Sequence, residues 1–99
     1  FSIYNPLVLE AAGLAEKGEG WKLGQDGTIA LDGKLPINTL GGLKARGYPG
    51  GATGVYQAVE AVLQLRGTAG QNQLENAKTA LIQSLGGPAS TAVTHILAV

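Results

Sequence analysis

Glycine is concentrated in one segment of the chain, and this segment limits what the chain can fold into. Residues 40–54 contain six of the 16 glycines, and the segment closes with the letters RGYPGGATG. Because glycine accepts tight turns and close backbone approach, this density indicates a shaped turn rather than a free linker. One large phenol, Tyr48, lies among these glycines. The segment is therefore either a structural turn that Tyr48 fills or a turn that presents Tyr48 to a ligand.

The residues that follow this turn predict an amphipathic helix over 53–66. Thr53 is the expected N-cap and Gly67 the expected stop. The residues at helical spacing along one side are Val55, Val59, Val62, Leu63 and Arg66. The positive end of this helix would lie near Tyr48, where it favours a negative group or a developing oxyanion.

Residues 1–39 predict one helix followed by a polar segment at the protein surface. The helix is expected over 1–15, with Asn5 as N-cap and Pro6 in the first helical position. Glycine-rich turn signals dominate residues 16–35. Short strands are predicted at TIAL (28–31) and at LPINT (35–39). In this polar segment Trp21 is expected to be a local hydrophobic anchor.

The end of the chain predicts an antiparallel pair of strands. These strands cover 77–85 and 90–99, and the turn between them reads GGPA. The second strand is apolar enough for a central, buried position. A helix between strands is typical of a parallel crossover, so an α/β fold with a sheet of about three strands is expected.

Composition excludes several classes of function. Seven basic and seven acidic residues give zero net charge. Proteins that bind nucleic acids or anionic membranes through basic patches usually carry an excess of basic residues. No apolar run approaches the ~18 residues typical of a membrane span. The absence of cysteine excludes disulfides, thiolate metal sites and a cysteine nucleophile within this chain. The chain also lacks methionine and starts with Phe1, so we expect a processed chain or part of a longer one.

The glycine turn matches neither of the common phosphate-binding motifs. A Walker motif would end in Gly-Lys-Ser or Gly-Lys-Thr, but this turn ends in Thr53, Gly54 and Val55. The dinucleotide motif needs glycine where Pro49 stands. No spacing of metal ligands and no Ser/His/Asp set is visible, so no metal is expected.

A second glycine-rich turn follows the first strand of the predicted pair. Ser84 offers a hydroxyl, and Gly86 and Gly87 could direct N–H groups at a carbonyl oxygen. The alternative is an ordinary hairpin turn that contains a serine. His95, the single histidine, is expected as a core or edge residue of the last strand.

Two motifs together resemble the C-terminal part of thiolases. They are NTLGGLKARGYPGGATG (38–54) and SLGGPASTAVTHIL (84–97), with the predicted helix between them. The letters EKGEGWKL and DGKLPIN also resemble the sterol-carrier-type and archaeal thiolase-like branch. The resemblance covers essentially the whole chain. It implies that residues 1–99 are the C-terminal segment of the thiolase C-terminal domain: an incomplete α/β domain in which a mixed sheet packs against helices.

The resemblance also implies roles for individual residues. Tyr48 occupies the position of the family's Gly-His-Pro histidine, which helps to activate the nucleophile and binds the thioester oxygen. Ser84 occupies the position of the second cysteine, which shuttles protons at the substrate α-carbon. Gly86 matches the glycine whose N–H contributes to an oxyanion hole. The implied substrate-binding loop comprises Asn38, Gly41, Gly42, Gly47, Pro49 and Gly51.

These two replacements bear on the expected chemistry. A phenol does not act as an imidazole does near neutral pH unless its surroundings make it far more acidic. A serine hydroxyl is a poor proton shuttle unless a base lies beside it. The family's nucleophilic cysteine belongs to the first half of a thiolase, which this chain does not contain.

The resemblance implies a part of an acyl-CoA C-acyltransferase in lipid metabolism, with a coenzyme A thioester as substrate and no bound cofactor. A retro-aldolase that acts on acyl-CoA side chains, with an OB-fold partner protein, is one alternative. A noncatalytic acyl-CoA-binding, lipid-binding or structural subunit is another. We expect the rest of the thiolase chain as a partner, a homodimer, a cytoplasmic location, no nucleic acid and no membrane span. The 99-residue segment alone is expected to be inactive.

Overall fold

The computed structural model describes residues 2–99 of the chain. The chain folds as two units, Phe1–Ile37 and Asn38–Val99. Phe1, the first residue of the predicted N-terminal helix, lies outside the described residues.

The first unit contains two helices, α1 (Tyr4–Ala11) and α2 (Lys22–Gln25). Helix α1 is shorter than predicted because the chain turns at Gly13, where φ is +74°. The prediction of Asn5 as N-cap was wrong, since Asn5 lies inside α1 and Ile3 is the capping residue. Pro6 is the third residue of α1 and not, as predicted, the first, but it still lies in the first turn, where a helix has no use for its missing N–H. Leu9 is the buried apolar residue of this unit.

The two short strands predicted in the first unit do not form. Residues 28–31 and 35–39 are instead turns and irregular segments. Two backbone hydrogen bonds join them, from Leu35 N to Thr28 O (2.9 Å) and from Ile37 N to Ile29 O (3.2 Å). The turn at Asp26, whose carboxylate accepts the Thr28 N–H at 2.9 Å, bends the chain before a longer ladder can form.

Trp21 is not a buried anchor of this unit. Its ring is exposed, and its indole N–H donates to the carbonyl of Gly18 at 3.1 Å. The ammonium of Lys22 lies 5.8 Å from the ring centre. The indole therefore closes a local turn through its polar edge instead of filling a core.

The second unit contains two helices, two single 3₁₀ turns and a hairpin. Helix α3 (Gly42–Arg46) precedes a 3₁₀ turn at Gly50–Ala52 and helix α4 (Thr53–Leu65). A 3₁₀ turn at Gly70–Asn72 then leads to β1 (Thr79–Gly86) and β2 (Thr91–Ala98). Helix α4 matches the predicted 53–66 within one residue. The expected N-cap differs, because Ala52 occupies that position and the Thr53 hydroxyl donates to the Gly50 carbonyl at 2.7 Å.

The hairpin is confirmed, with β1 and β2 antiparallel and in register from Thr79 opposite Ala98 to Gly86 opposite Thr91. The sheet has two strands among the described residues, rather than the three expected. The prediction that the second strand is buried was wrong, since β2 is exposed along most of its length. Helix α4 packs mainly against β1 and much less against β2. Burial consequently falls on β1, where Ile82 is the buried apolar residue.

The buried side of α4 differs from the apolar stripe in the sequence. Val55 and Val59 are 66% and 53% exposed. The buried positions are instead polar, at Thr53 and Gln64. Gln64 Nε2 donates to Thr39 Oγ1 at 3.1 Å and to Asn72 O at 2.6 Å, so this side of the helix holds the neighbouring loops by hydrogen bonds.

None of the helices within residues 2–99 combines the length and the apolar character needed to cross a membrane.

Candidate functional site

Tyr48 is held out from the protein by the turn between α3 and α4. Helix α3 ends at Arg46, and Gly47 then adopts φ +97° and ψ +163°, a conformation that side-chain-bearing residues avoid. The Tyr48 side chain is 75% exposed. It forms no hydrogen bond with any described residue of the chain. The turn thus presents the phenol and leaves its hydroxyl free to bond with a ligand.

A shallow pocket of about 200 Å³ lies beside this phenol. Its lining residues are Arg46, Gly47, Tyr48, Pro49 and Tyr56. Two phenols therefore border the pocket, one from the glycine turn and one from the first turns of α4. Of the two interpretations of the glycine segment, the presented tyrosine agrees better with this geometry than a tyrosine that fills space.

Ser84 lies against the beginning of α4. A Cβ built on Gly54 would be 3.4 Å from Ser84 Oγ and 3.5 Å from Ser84 Cβ. Ser84 is half-buried and pairs with Val93 across the sheet. β1 thus brings this hydroxyl to within van der Waals reach of the second residue of α4.

Tyr48 and Ser84 thus flank the same end of the same helix. Tyr48 precedes α4 by one 3₁₀ turn, and Ser84 contacts its second residue, Gly54. The first turn of an α-helix carries unsatisfied N–H groups and the positive end of the helix dipole. Ser84 is not among the residues that line the pocket at Tyr48. Each hydroxyl, with the positive helix end, is of the kind that stabilises negative charge on a carbonyl oxygen.

The glycines of the second turn lie at the end of the hairpin. Gly86 is the last residue of β1, where its Cβ position would be 3.4 Å from Thr91 Cβ. Gly87 begins the exposed turn 87–90 with φ +58°. Neither glycine lines the pocket at Tyr48.

The predicted substrate-binding loop separates into three parts. Gly47 and Pro49 line the pocket. Gly51 is exposed in the 3₁₀ turn before α4. The remaining residues, Asn38, Gly41 and Gly42, form the turn that starts α3, in which the Gly41 N–H donates to Asn38 O at 2.7 Å.

His95 is an exposed residue of β2, the edge strand, opposite Ile82. The alternation of side chains along a strand places it on the same face of the sheet as Ser84. No described contact joins the two side chains.

Two residues that line the pocket, Arg46 and Tyr56, and the ion-pair partner Glu60 were not identified from the sequence. Arg46 lies over the Tyr56 ring, 5.2 Å from its centre, and forms an ion pair with Glu60. The spacing of Tyr56 and Glu60, four residues apart on a helix, was the available signal, because such side chains share one helix face. Nothing in the sequence indicated that α3 would place Arg46 against that face of α4.

Known proteins resemble this chain over nearly its whole length. The family model described as "Thiolase C-terminal domain-like" matches residues 1–99. An acetyl-CoA acetyltransferase of Methanothermobacter thermautotrophicus is 50% identical over 96 residues, which is 97% of this chain and 25% of that protein. Human sterol carrier protein 2 is 44% identical over 94 residues, which is 95% of this chain and 17% of that protein.

A benzoylsuccinyl-CoA thiolase subunit of Thauera aromatica is 37% identical over 75 residues, or 76% of this chain and 20% of that protein. The chain thus spans a quarter or less of the length of these relatives. The family match itself extends over every residue of the chain. The chain belongs to the thiolase C-terminal domain-like family.

Proposed function

We propose that this chain supplies one wall of the active site of a thiolase-like acyl-CoA C-acyltransferase, which forms or breaks a C–C bond in a coenzyme A thioester. In this proposal residues 1–99 are the C-terminal segment of the thiolase C-terminal domain. The observation that carries it is the placement of Tyr48 and Ser84 at the N-terminal end of α4. The family match and the acetyl-CoA acetyltransferase relative support the acyl-transfer chemistry.

Tyr48 acts in this proposal as a hydrogen-bond donor to the thioester carbonyl oxygen. When a C–C bond next to the carbonyl breaks or forms, negative charge moves onto that oxygen. A neutral phenol stabilises such a charge by donation, and the positive end of α4 adds to the effect. Since the Tyr48 hydroxyl has no partner among residues 2–99, a substrate oxygen can take its hydrogen bond without breaking one within that part of the chain.

Ser84 is the proposed second polar group, at the position where the resemblance places a proton-shuttling cysteine. Its contact with Gly54 puts the hydroxyl at the helix end where the enolate charge would develop. A hydroxyl without an adjacent base donates and accepts hydrogen bonds but transfers protons poorly. Ser84 is therefore proposed to orient the α-carbon region rather than to take its proton, and Gly86 is proposed to add a backbone N–H.

Retro-aldol cleavage of an acyl-CoA side chain is the second candidate. The observation that favours it is the pair of phenols, Tyr48 and Tyr56, at one pocket. Retro-aldol cleavage needs a base that removes a hydroxyl proton and a donor that stabilises an enolate. In a pair of phenols, one can be the base once it is deprotonated, and the other can be the donor. It needs no cysteine nucleophile.

The remaining proposals concern the complete protein. The other parts of the thiolase chain are the proposed partner, acyl-CoA is the proposed substrate, and coenzyme A is not a resident cofactor. A homodimer, a cytoplasmic location and, for the aldol reaction, an OB-fold partner protein complete the proposal. A noncatalytic acyl-CoA-binding subunit stays as the alternative from another functional class.

The deciding experiment is steady-state kinetics of the full-length protein on two substrates. A 3-ketoacyl-CoA consumed only when free coenzyme A is present indicates acyl transfer. A 3-hydroxyacyl-CoA cleaved without added coenzyme A indicates retro-aldol chemistry. The 99-residue chain alone is expected to turn over neither substrate.

The matched variants are Tyr48→Phe and, as control, Tyr4→Phe, which makes the same change in α1. We expect Tyr48→Phe to lower kcat about 10²- to 10³-fold, the usual loss when one hydrogen-bond donor to an oxyanion is removed. Tyr4→Phe should leave kcat within about twofold, since no step is assigned to it. Equal turnover of Tyr48→Phe and the parent would remove Tyr48 from the chemistry and favour the noncatalytic alternative.

A further inference from the structure

The side chain of Arg46 joins the end of α3 to α4 just before the Tyr48 turn. Its guanidinium forms an ion pair with Glu60 and lies 5.2 Å from the centre of the Tyr56 ring. Tyr56 and Glu60 are four residues apart, so both face the same side of α4. Arg46, Tyr56 and Glu60 together form the Arg46 clasp.

The clasp is much better shielded from water than the other ion pair of the described chain. The side chains of Arg46 and Glu60 are 17% and 15% exposed. Those of Lys22 and Glu19 are 53% and 45% exposed. Charges that are partly withdrawn from water interact more strongly and are screened less by salt. A planar guanidinium that pairs and stacks at once is also held in one orientation.

The turn between α3 and α4 bonds to itself and to the start of α4, where the Ala52 N–H donates to Pro49 O at 3.2 Å and the Thr53 hydroxyl to Gly50 O at 2.7 Å. The backbones of these two helices make little close contact. The preceding residue Thr39 is fastened to Gln64 by one side-chain hydrogen bond of 3.1 Å. At the C-terminal end of α3, the clasp is the corresponding attachment to α4. Glu60 and Gln64 are four residues apart, so the clasp lies on the side of α4 that carries Gln64.

Tyr48 follows Arg46 by two residues, and its side chain forms no hydrogen bond with residues 2–99. Gly47 lies between them with a positive φ, so the backbone there has unusual freedom. The direction of the phenol consequently depends on where the chain leaves Arg46. Arg46 and Tyr56 also line the pocket, so the clasp sets both the position of Tyr48 and one side of the space beside it.

We infer that Arg46 is a positioning residue: held by Glu60 and Tyr56, it fixes the Tyr48 turn on α4 so that the phenol points at the pocket. The kinetic consequence rests on the proposed function, in which Tyr48 contacts the thioester oxygen. The structural consequence does not, because the order of the Tyr48 ring can be measured without any reaction.

The test uses the full-length protein with 3-fluorotyrosine at position 48, observed by ¹⁹F NMR. Arg46→Gln removes the ion pair and the stacked cation. Lys22→Gln makes the same change of charge in the exposed pair and is the matched control. The reversed pair, Arg46→Glu with Glu60→Arg, restores an attraction between the same two positions.

We expect one narrow ¹⁹F resonance in the parent and in Lys22→Gln, and a shifted, broadened or doubled resonance in Arg46→Gln. The reversed pair should return the spectrum towards that of the parent. With acyl-CoA substrates, Arg46→Gln should lower kcat about 10- to 100-fold, the loss typical of a misplaced reacting group. KM should stay within about threefold, because the turn is displaced and not removed.

A spectrum of Arg46→Gln that equals the parent spectrum overturns the inference. If Arg46→Gln does not fold, the reversed pair decides, because a fixed phenol in that variant supports the clasp and a mobile one overturns it. A change in the ¹⁹F spectrum together with a parent that turns over no acyl-CoA substrate supports the clasp and contradicts the proposed function.

Discussion

The hydroxyl of Ser84 on β1 faces Gly54 at the second position of α4, where an added Cβ would lie 3.4 Å from Ser84 Oγ. This contact joins the hairpin to the end of the helix that follows the Tyr48 turn. A distance of 3.4 Å permits a methyl group but leaves no free space between it and the hydroxyl. Stability and function should therefore respond differently when Gly54 is changed.

Gly54→Ala is expected to preserve or raise stability while it impairs the site. Alanine is favoured over glycine within a helix by about 1 kcal/mol, and φ at Gly54 is not positive. The new methyl group would restrict Ser84 and the space beside it. In the full-length protein we expect an unchanged or higher Tm and a kcat that falls about 10-fold.

Gly24→Ala is the control for this change. Gly24 lies in α2, has no positive φ, and its Cβ position is 3.6 Å from Ile29 Cδ1, an ordinary contact. Like Gly54→Ala, it should leave Tm unchanged or higher, but it should leave kcat unchanged. A Gly54→Ala protein with full activity would show that the space between Ser84 and α4 is not used by the substrate.

Gln64 should be the most costly polar residue of α4 to replace. It is 7% exposed, its Nε2 donates to Asn72 O and Thr39 Oγ1, and its Oε1 accepts the N–H of Leu74 at 2.9 Å. Gln64→Leu would leave these groups without partners in a buried place. We expect the free energy of unfolding to fall by about 2–4 kcal/mol in chemical denaturation.

The matched control is Gln83→Leu. Gln83 donates to Thr94 Oγ1 at 3.2 Å in an exposed bond, where water can replace the lost partner. Its effect on the free energy of unfolding should be below about 1 kcal/mol. Equal losses for the two variants would contradict the assignment of Gln64 as a buried hydrogen-bonding centre.

Adjacent leucine and isoleucine residues of β1 should respond very differently to truncation. Ile82 is 7% exposed on the face that carries Ser84, whereas Leu81 is 44% exposed on the other face. Ile82→Ala removes buried apolar atoms and leaves a cavity, so we expect a loss of about 2–4 kcal/mol. Leu81→Ala should cost about 1 kcal/mol or less. Thermal or urea unfolding of the chain measures both, and a larger loss for Leu81→Ala would mean that the opposite face is the covered one.

Glu10 should make the first unit sensitive to acid. The backbone N–H groups of Gly18 and Gly20 hold the pKa of its carboxyl below the ordinary value of 4.5. A group whose pKa is lower in the folded state stabilises that state fully above its unfolded pKa. This contribution disappears as the pH falls below about 4.5 and through the lower folded value. Amide exchange of residues 10–20 should therefore accelerate over that range.

Glu10→Gln should weaken the unit at neutral pH and remove this part of the pH dependence. Asp26, whose pKa is lowered by the Thr28 hydroxyl and the Thr28 N–H, titrates in both proteins and leaves a residual slope. Glu16→Gln, an exposed change in the same segment, is the control and should behave as the parent does. An identical pH profile for Glu10→Gln and the parent would contradict the role of the Glu10 carboxylate.

The elements that the sequence determined by itself are those set by neighbouring residues. Helix α4 follows from its spacing and from the glycine that stops it, and the hairpin of β1 and β2 follows from two apolar runs around Gly86 and Gly87. The family could be recognised because two glycine-rich motifs stand in order around that helix. The helix and the hairpin depend on interactions between residues that are close in the sequence. Recognition of the family depends on the sequence motifs alone.

Only the tertiary structure decided which faces are covered and which side chains meet. The apolar pair Val55 and Val59 remains exposed while Gln64 is buried, because loops, rather than an apolar surface, lie against that side of α4. Burial of an apolar residue depends on what packs over it, and periodicity does not contain that information. The pairing of Arg46 with Glu60 likewise joins residues 14 positions apart, on helices whose relative placement no local pattern specifies. The sequence left open whether Tyr48 fills the glycine turn or is presented by it. The tertiary structure shows that the ion pair of Arg46 with Glu60 joins the end of α3 to α4 two residues before that tyrosine.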